Sequence, residues 1–130
     1  MKGKKQIIAV GGGGFTHDED SDLDQFFLDQ ISKKKCSVGF LPTASNDDVK
    51  KTELFYKRFK NTNFKVSHFN LVSNVKGFEN WISNLDAIYV GGGNTKFKIS
   101  HFNLVSKVKG FENWISNLDA IYVGGGNTKF

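Results

Sequence analysis

The chain has few residues of the kinds that cross-link, kink or anchor a protein. It contains one cysteine, Cys36, among 130 residues, so no disulfide can form within it, as is usual in a reducing cytosol. It contains one proline, and no apolar run approaches the length of a membrane span. The first apolar run, Ile7–Val10, is also too short for a secretory signal peptide. We therefore expect a cytoplasmic protein without a membrane partner.

Charge of one sign is not concentrated in any part of the sequence. The formal net charge is +5, but the lysines are scattered along the chain. A surface that binds nucleic acid is typically a cluster of basic residues on one face or one helix. A solvated, lysine-rich surface is the simpler interpretation, and we expect no nucleic-acid partner.

Short apolar segments alternate with segments of helical periodicity. Buried strands of a parallel sheet are continuous apolar runs, whereas helices repeat apolar residues at intervals of three and four. The alternation predicts an α/β domain with a mainly parallel sheet flanked by helices. The predicted strands are 7–10, 38–41, 65–71 and 87–90, and the predicted helices are 22–33, one around Leu54 to Phe59, and one from Phe78 to Leu85.

The predicted strands end in turns that are rich in glycine or contain proline. Right-handed crossovers bring the carboxyl ends of parallel strands to one edge of a sheet, which is where ligands bind in open α/β sheets. We therefore expect the turns at 11–14, 42–45 and 91–95 to lie along one rim. The last is the most specific, because a wholly apolar strand runs into three glycines, Asn94 and Thr95.

Part of the chain is duplicated almost without change. Residues 61–97 and 94–130 match at an offset of 33 positions, and only three of the 37 aligned positions differ. We divide the chain into residues 1–97 and a duplicate of 65–97 at residues 98–130. Two copies are too few for the stacked core of a repeat protein, so a tandem duplication, or an error in joining the gene, explains the match better.

The duplication creates a topological conflict. Only seven residues, Gly91 to Phe97, separate the strand ending at Val90 from the copied strand that begins at Lys98. A parallel crossover needs about a dozen residues or more. The copied strand could pair antiparallel, exchange with the first copy or stay loosely attached. Our hypothesis is that the two copies compete for one place in the sheet.

Several cofactor and metal motifs fail in this sequence. The dinucleotide fingerprint requires glycine at Thr16 or at His17, and no phosphate-binding loop has its Gly-Lys-Ser/Thr. A calcium loop beginning near His17 breaks at Leu23, where glycine is required. The acidic residues between His17 and Leu23 are more typical of a helix start. Asp24 has capping-box spacing from Ser21 there. We expect no cofactor and no metal.

Three segments in order resemble one known family. They are Ile-Ile-Ala-Val-Gly-Gly-Gly at 7–13, Phe-Leu-Pro-Thr-Ala-Ser at 40–45, and Asp-Ala-Ile-Tyr-Val-Gly-Gly-Gly-Asn-Thr at 86–95. Together they resemble the peptidase E and cyanophycinase family of serine peptidases, which is built like the class I glutamine amidotransferases. The resemblance covers residues 5–97, about the amino-terminal half of such an enzyme. It implies a flavodoxin-like sheet that is incomplete here, with a duplicated strand-helix-strand segment.

The resemblance also implies roles for the glycine turn. In the family, the third glycine of Gly-Gly-Gly-Asn-Thr offers its backbone N–H to the oxyanion of the tetrahedral intermediate, which maps onto Gly93 and, by copy, onto Gly126. A glycine turn can aim a bare amide at developing charge. Asn94 and its copy Asn127 would shape the turn or touch substrate. Further candidates for substrate binding are Gly12, Gly13 and Ser45.

The family's nucleophile is missing from this sequence. It is a serine in a Gly-x-Ser-Ala-Gly elbow, followed later by a histidine and an acid. No serine here has glycine on both sides at that spacing; Ser37 has Gly39 but Lys35. We therefore expect an inactive fragment of a dipeptidase E-like enzyme, whose full-length relatives cleave Asp-Xaa peptides or aspartyl–arginine polymer. The alternatives are a nonenzymatic module that binds a small ligand at the glycine rim, and a truncated product that folds poorly.

Overall fold

A computed structural model describes residues 5–10, 14–16, 22–31, 35–93 and 117–124. Within these ranges the chain forms five strands, three α-helices and a 3-10 turn at Thr43–Ser45. The strands are β1 Gln6–Val10, β2 Ser37–Leu41, β3 Lys65–His68, β4 Ala87–Val90 and β5 Ala120–Gly124, and the helices are α1 Asp22–Asp29, α2 Val49–Phe59 and α3 Phe78–Ser83.

The strands form one sheet with helices on both faces. The order is β1-β5-β4-β2-β3, and all neighbouring strands are parallel. One face packs against α1 and α2 through Phe27, Phe55 and Phe59, and the other packs against α3 through Phe78 and Ile82. The predicted α/β fold with a mainly parallel sheet is confirmed.

Three predicted elements are shorter than their sequence patterns indicate, and one of them, α3, ends at Ser83 instead of Leu85. Helix α1 ends at Asp29 rather than near Lys33, and the chain continues as a tighter turn in which the Ile31 N–H donates to the Leu28 carbonyl. Strand β3 ends at His68, although the apolar pattern continues to Leu71. Leu71 is buried in a turn on the α3 side of the sheet. The apolar residues after His68 therefore indicate burial but not a continued strand.

Strand β5 is the copy of β4, and both lie in the sheet. They pair in the register of their repeats, with Ala87 opposite Ala120 and Tyr89 opposite Tyr122. Within the described ranges, β1 is joined to the sheet only through β5. The hypothesis of competition for one place is therefore wrong for these strands.

The reason is the length of the connection. The copied strand expected at Lys98 lies outside the described residues, and β4 is followed in the sheet by β5 instead. The connection from Gly91 to Asp119 is much longer than the dozen or so residues that a parallel crossover requires. The copy therefore has its own place beside β4.

Amide hydrogen exchange of the intact chain tests this arrangement. We expect the Ile88 and Ile121 amides to exchange equally slowly, because both lie on strands with a neighbour on each side. Exchange at Ile121 as fast as that of the exposed loop residue Val75, with Ile88 protected, would restore the competition hypothesis.

Candidate oxyanion-binding site

The proline turn after β2 and the glycine turn after β4 lie against each other. The Gly91 N–H donates to the Leu41 carbonyl at 2.9 Å. A Cβ built on Gly93 would collide with the Ala44 carbonyl and would lie 2.8 Å from the Ser45 nitrogen. Only glycine fits where two backbones approach so closely. The expected meeting of these two turns at one rim is thus present.

The proline turn is braced by its own side chains. The Ser45 hydroxyl donates to the Pro42 carbonyl at 2.8 Å, and the Ser45 N–H donates to the same oxygen at 2.9 Å. Asn46 and Asp47 both have left-handed backbone, with φ of 59° and 54°. The Asp47 carboxylate accepts from the Val72 N–H at 2.9 Å, which ties this turn to the one after β3. The Ser45 hydroxyl therefore shapes the turn.

The second copy of the glycine turn begins beside the first. A Cβ built on Gly124, the copy of Gly91, would lie 2.6 Å from the Gly92 nitrogen. The structure thus brings Gly93 and Ser45 together among the candidate residues. The other candidates, Gly12, Gly13, Asn94, Gly126 and Asn127, lie outside the described residues.

Lys51 contacts the glycine turn, and no pattern in the sequence predicts this contact. It lies in the first turn of α2, where Asp48 caps the helix by accepting from the Lys50 N–H at 2.8 Å and the Lys51 N–H at 3.3 Å. The Lys51 Nζ donates to the Gly92 carbonyl at 3.3 Å. In the described part of the chain, the Gly93 N–H donates to no acceptor. The rim therefore combines a cation with an amide that is available to a ligand.

A buried polar cluster lies near this rim, where sequence spacing indicates only a helix cap. Asp24 is fully buried and accepts a hydrogen bond from the Tyr89 hydroxyl at 3.0 Å. Its other oxygen lies 3.6 Å from the Arg58 Nε. Gly14, with φ of 81°, covers the cluster, since its Cβ would lie 2.6 Å from the Tyr89 hydroxyl. The Asp24 side chain therefore contacts the core, whereas its spacing in the sequence predicts a helix cap.

Burial dominates the ionisation of this cluster. It raises the pKa of Asp24, although the hydrogen bond from Tyr89 and the charge of Arg58 act in the opposite direction. Burial also raises the pKa values of Tyr89 and Tyr122, whose rings stack at 3.7 Å between centroids. Both tyrosines are therefore neutral at physiological pH, and the Tyr89 hydroxyl is the donor to Asp24.

A cavity of about 580 Å³ lies between α1 and α2. Its lining includes Phe15, Leu54, Arg58 and Asn61, and neither Ser45 nor Gly93 belongs to it. This cavity is therefore separate from the glycine turn.

The described residues show no signs of a metal site or of a membrane-spanning helix. They include no group of three histidine, cysteine or acidic side chains placed to hold a metal ion. His68 is at the end of β3, where its Nδ1 lies 2.8 Å from the Tyr56 hydroxyl. No helix in the described ranges has the length and apolar character needed to cross a membrane. Cys36 is buried, as expected.

A parallel sheet covered on both faces, with a glycine turn at its carboxyl edge, defines a flavodoxin-like α/β protein. The sequence model of peptidase family S51 matches residues 7–103. The chain belongs to this peptidase family, which agrees with the resemblance seen in its motifs.

Two individual proteins illustrate the relationship. The uncharacterized peptidase YgaJ of Bacillus subtilis (strain 168) is 40% identical over 91 residues, which are 68% of this chain and 40% of YgaJ. The crystal structure of a Listeria monocytogenes EGD-e protein that carries the name peptidase E superposes with a TM-score of 0.66 at 20% identity. That match covers 93% of this chain and 58% of the Listeria chain, and it shows the fold. The chain therefore spans about half the length of such relatives.

Asp24→Asn is expected to flatten the pH dependence of stability. Because the folded-state pKa of Asp24 is raised above 3.8, the folded chain binds its proton more tightly than the unfolded chain does. The contribution of Asp24 is most favourable below that value and declines as pH rises through the folded-state pKa. Urea unfolding between about pH 4 and pH 8 measures this decline.

The matched control for that experiment is Asp29→Asn, an exposed position on the same helix. Any change in the pH profile that both variants share reflects loss of a charge from α1 and not burial of the carboxyl. Identical profiles for wild type and Asp24→Asn would show that the buried carboxyl does not titrate within this range.

Gly93→Ala is expected to destabilise the chain by about 2 kcal/mol, because the added methyl group must push apart two backbones. Gly77→Ala is the comparison variant: it has left-handed backbone, φ 85°, but open space around its Cβ. It should cost about 1 kcal/mol through backbone strain alone. Chemical unfolding measures both, and a smaller loss in Gly93→Ala than in Gly77→Ala would contradict the close packing.

Proposed function

We propose that this chain provides the oxyanion-binding half of a serine peptidase that cleaves short peptides with an amino-terminal aspartate. The observation that carries the proposal is the Gly93 amide, which is held against Ala44 and Ser45 and donates to no acceptor in the described residues. Membership of peptidase family S51 supports a peptidase. The aspartyl specificity and the serine mechanism come from the resemblance of the motifs.

The chemistry assigned to Gly93 is electrostatic. When a nucleophile attacks a peptide carbonyl, negative charge develops on the carbonyl oxygen, and a preorganised N–H stabilises it. Loss of one such donor typically costs about 3 kcal/mol in the transition state. The close contact of Gly93 with Ala44 and Ser45 fixes the position of the Gly93 Cα before substrate arrives. A backbone donor also requires no change of protonation during the reaction.

We further propose that these 130 residues do not hydrolyse peptides by themselves. None of their serines has the glycine spacing of a nucleophile elbow. The Ser45 hydroxyl donates to the Pro42 carbonyl, and the His68 Nδ1 is paired with Tyr56. Acyl-enzyme chemistry needs a nucleophile that is paired with a base. In this proposal a further segment, such as full-length relatives possess, supplies both.

The remaining parts of the proposal concern surroundings and partners. We place the protein in the cytoplasm, which is consistent with the single cysteine, Cys36, in its sequence. Its partner in the complete enzyme is a short peptide substrate. Nucleic acid and membrane surfaces are not part of the proposed function, and neither is a cofactor.

A chimera tests the peptidase proposal. The matched 91-residue segment of YgaJ would be replaced by the corresponding segment of this chain. We expect the folded chimera to hydrolyse an Asp-Xaa dipeptide, and Gly93→Pro to abolish hydrolysis because proline removes the N–H. Gly77→Ala should remain active. The 130-residue chain, assayed in parallel, should show no hydrolysis above a mock purification.

Two results would overturn the proposal. A folded chimera that leaves Asp-Xaa peptides intact, under conditions where YgaJ itself cleaves them, would refute the substrate class. Hydrolysis by the 130-residue chain that disappears in its own Gly93→Pro variant would refute its inactivity.

One observation favours a second candidate, a nonenzymatic module that binds a small anion at the rim. The Lys51 ammonium donates to the Gly92 carbonyl, which belongs to the same peptide unit as the Gly93 N–H. In that case acetate should shift the Gly93 amide signal saturably in NMR spectra of the 130-residue chain. Peptidase activity of the chimera and saturable acetate binding by the chain would together favour the first candidate, because an oxyanion hole also binds carboxylates.

A further inference from the structure

We propose that Lys51 is a positioning residue that orients the Gly92–Gly93 peptide unit, so that the Gly93 N–H stays available to an oxyanion. The inference rests on the proposed function of Gly93 and adds to it a residue outside the glycine turn. Its basis is the contact between the Lys51 Nζ and the Gly92 carbonyl at 3.3 Å.

The first step is the geometry of one amide. The Gly92 carbonyl and the Gly93 N–H belong to the same planar peptide unit and point in opposite directions. A group that fixes the carbonyl therefore also fixes the direction of the N–H. Lys51 binds the carbonyl side, which leaves the N–H side to a ligand.

The second step is the freedom of the turn. Three successive glycines have no side chains to restrict rotation of their peptide units. The Gly91 N–H is fixed by the Leu41 carbonyl, and the Gly93 Cα is fixed by its contact with Ala44. The Gly92–Gly93 peptide unit lies between these two points and has neither restraint. Among the described residues, Lys51 is the side chain that donates to it.

The third step is the placement of Lys51 itself. The Asp48 carboxylate caps α2 by accepting from the Lys51 N–H, and the Thr52 hydroxyl donates to the Asp48 carbonyl at 3.1 Å. The first turn of α2 therefore fixes the base of the lysine side chain. Lys51 is partly buried, whereas the adjacent Lys50 is exposed. This neighbour offers a control on the same helix.

The fourth step is the effect of charge. A hydrogen bond from an ammonium group is stronger than one between neutral groups. It polarises the amide, which makes the N–H at the other end a better donor. A lysine on the carbonyl oxygen would therefore strengthen an oxyanion donor without touching the substrate.

The test is NMR spectroscopy of the 130-residue chain labelled with ¹³C and ¹⁵N. In Lys51→Met we expect the Gly92 carbonyl carbon to move upfield, and the Gly93 nitrogen to gain exchange broadening as the peptide unit flips. Lys51→Arg should restore the wild-type signals, because guanidinium also donates and is charged. Lys50→Met should change neither signal.

The readout separates positioning from a general structural role. If Lys51 only anchors α2, its loss would broaden helix signals such as Phe55 and leave the Gly93 nitrogen sharp, which would overturn the inference. Should Lys51→Met fail to fold, the wild-type chain decides: a nuclear Overhauser effect between the Lys51 ε-protons and the Gly92 α-protons is expected. Its absence would equally overturn the inference.

The two proposals fail independently. The NMR signals of the unliganded chain do not depend on hydrolysis, so an inactive chimera would refute the peptidase proposal alone. If the chimera is active, Lys51→Met within it should lower kcat about tenfold with little change in KM, less than the loss of a whole oxyanion donor. An unchanged kcat would refute the role of Lys51 and leave that of Gly93 intact.

Discussion

Among the described strands, the pairing of β4 with its own copy is the contact that joins β1 to the rest of the sheet. Identical strands in the same register place Tyr89 on Tyr122, and their rings stack. Within the described ranges, β1 reaches β4 and β2 only through β5. Because Gly14 follows β1 and covers the Tyr89 hydroxyl, the buried cluster around Asp24 requires this pairing as well. The duplicated strand is therefore part of the core.

Burying the Asp24 carboxyl is unfavourable, but the same side chain connects elements that are far apart in the sequence. A carboxylate removed from water is unfavourable unless donors surround it, and the raised pKa of Asp24 shows that its donors offset only part of that cost. In return, one side chain links α1 to β4 through Tyr89 and to α2 through Arg58. The elements that carry the two turns of the rim, β4 and α2 among them, are thus held by polar contacts as well as by apolar packing.

The sequence predicts what depends on neighbouring residues and misses what depends on distant ones. The apolar run at 87–90 matches β4 residue for residue, and the helix predicted around Leu54 to Phe59 lies within α2. Asp24 is different, because its partner Tyr89 is 65 positions away and its local spacing resembles a cap. Lys51 gives no local signal either, since a lysine in a helical first turn is ordinarily solvated. The crossover rule gives the wrong place for the copy because it concerns the seven residues before Lys98. Strand β5 instead follows the longer connection from Gly91 to Asp119.

The residues of the rim are suited to binding a charged group and not to forming a bond with a substrate. Its contacts are made by backbone atoms and one ammonium group: Gly93 on Ala44, Gly124 on Gly92, and Lys51 on the Gly92 carbonyl. The nearby carboxylates accept backbone hydrogen bonds, Asp47 from amides after β3 and Asp48 from the first turn of α2. Among the described residues, the rim therefore presents an N–H donor to an anion, and its serine, Ser45, donates to the Pro42 carbonyl. In the proposed function, that anion is the oxyanion of a tetrahedral intermediate, which forms when a nucleophile from another segment attacks. The geometry of the turn thus suits the stabilising half of a two-part active site.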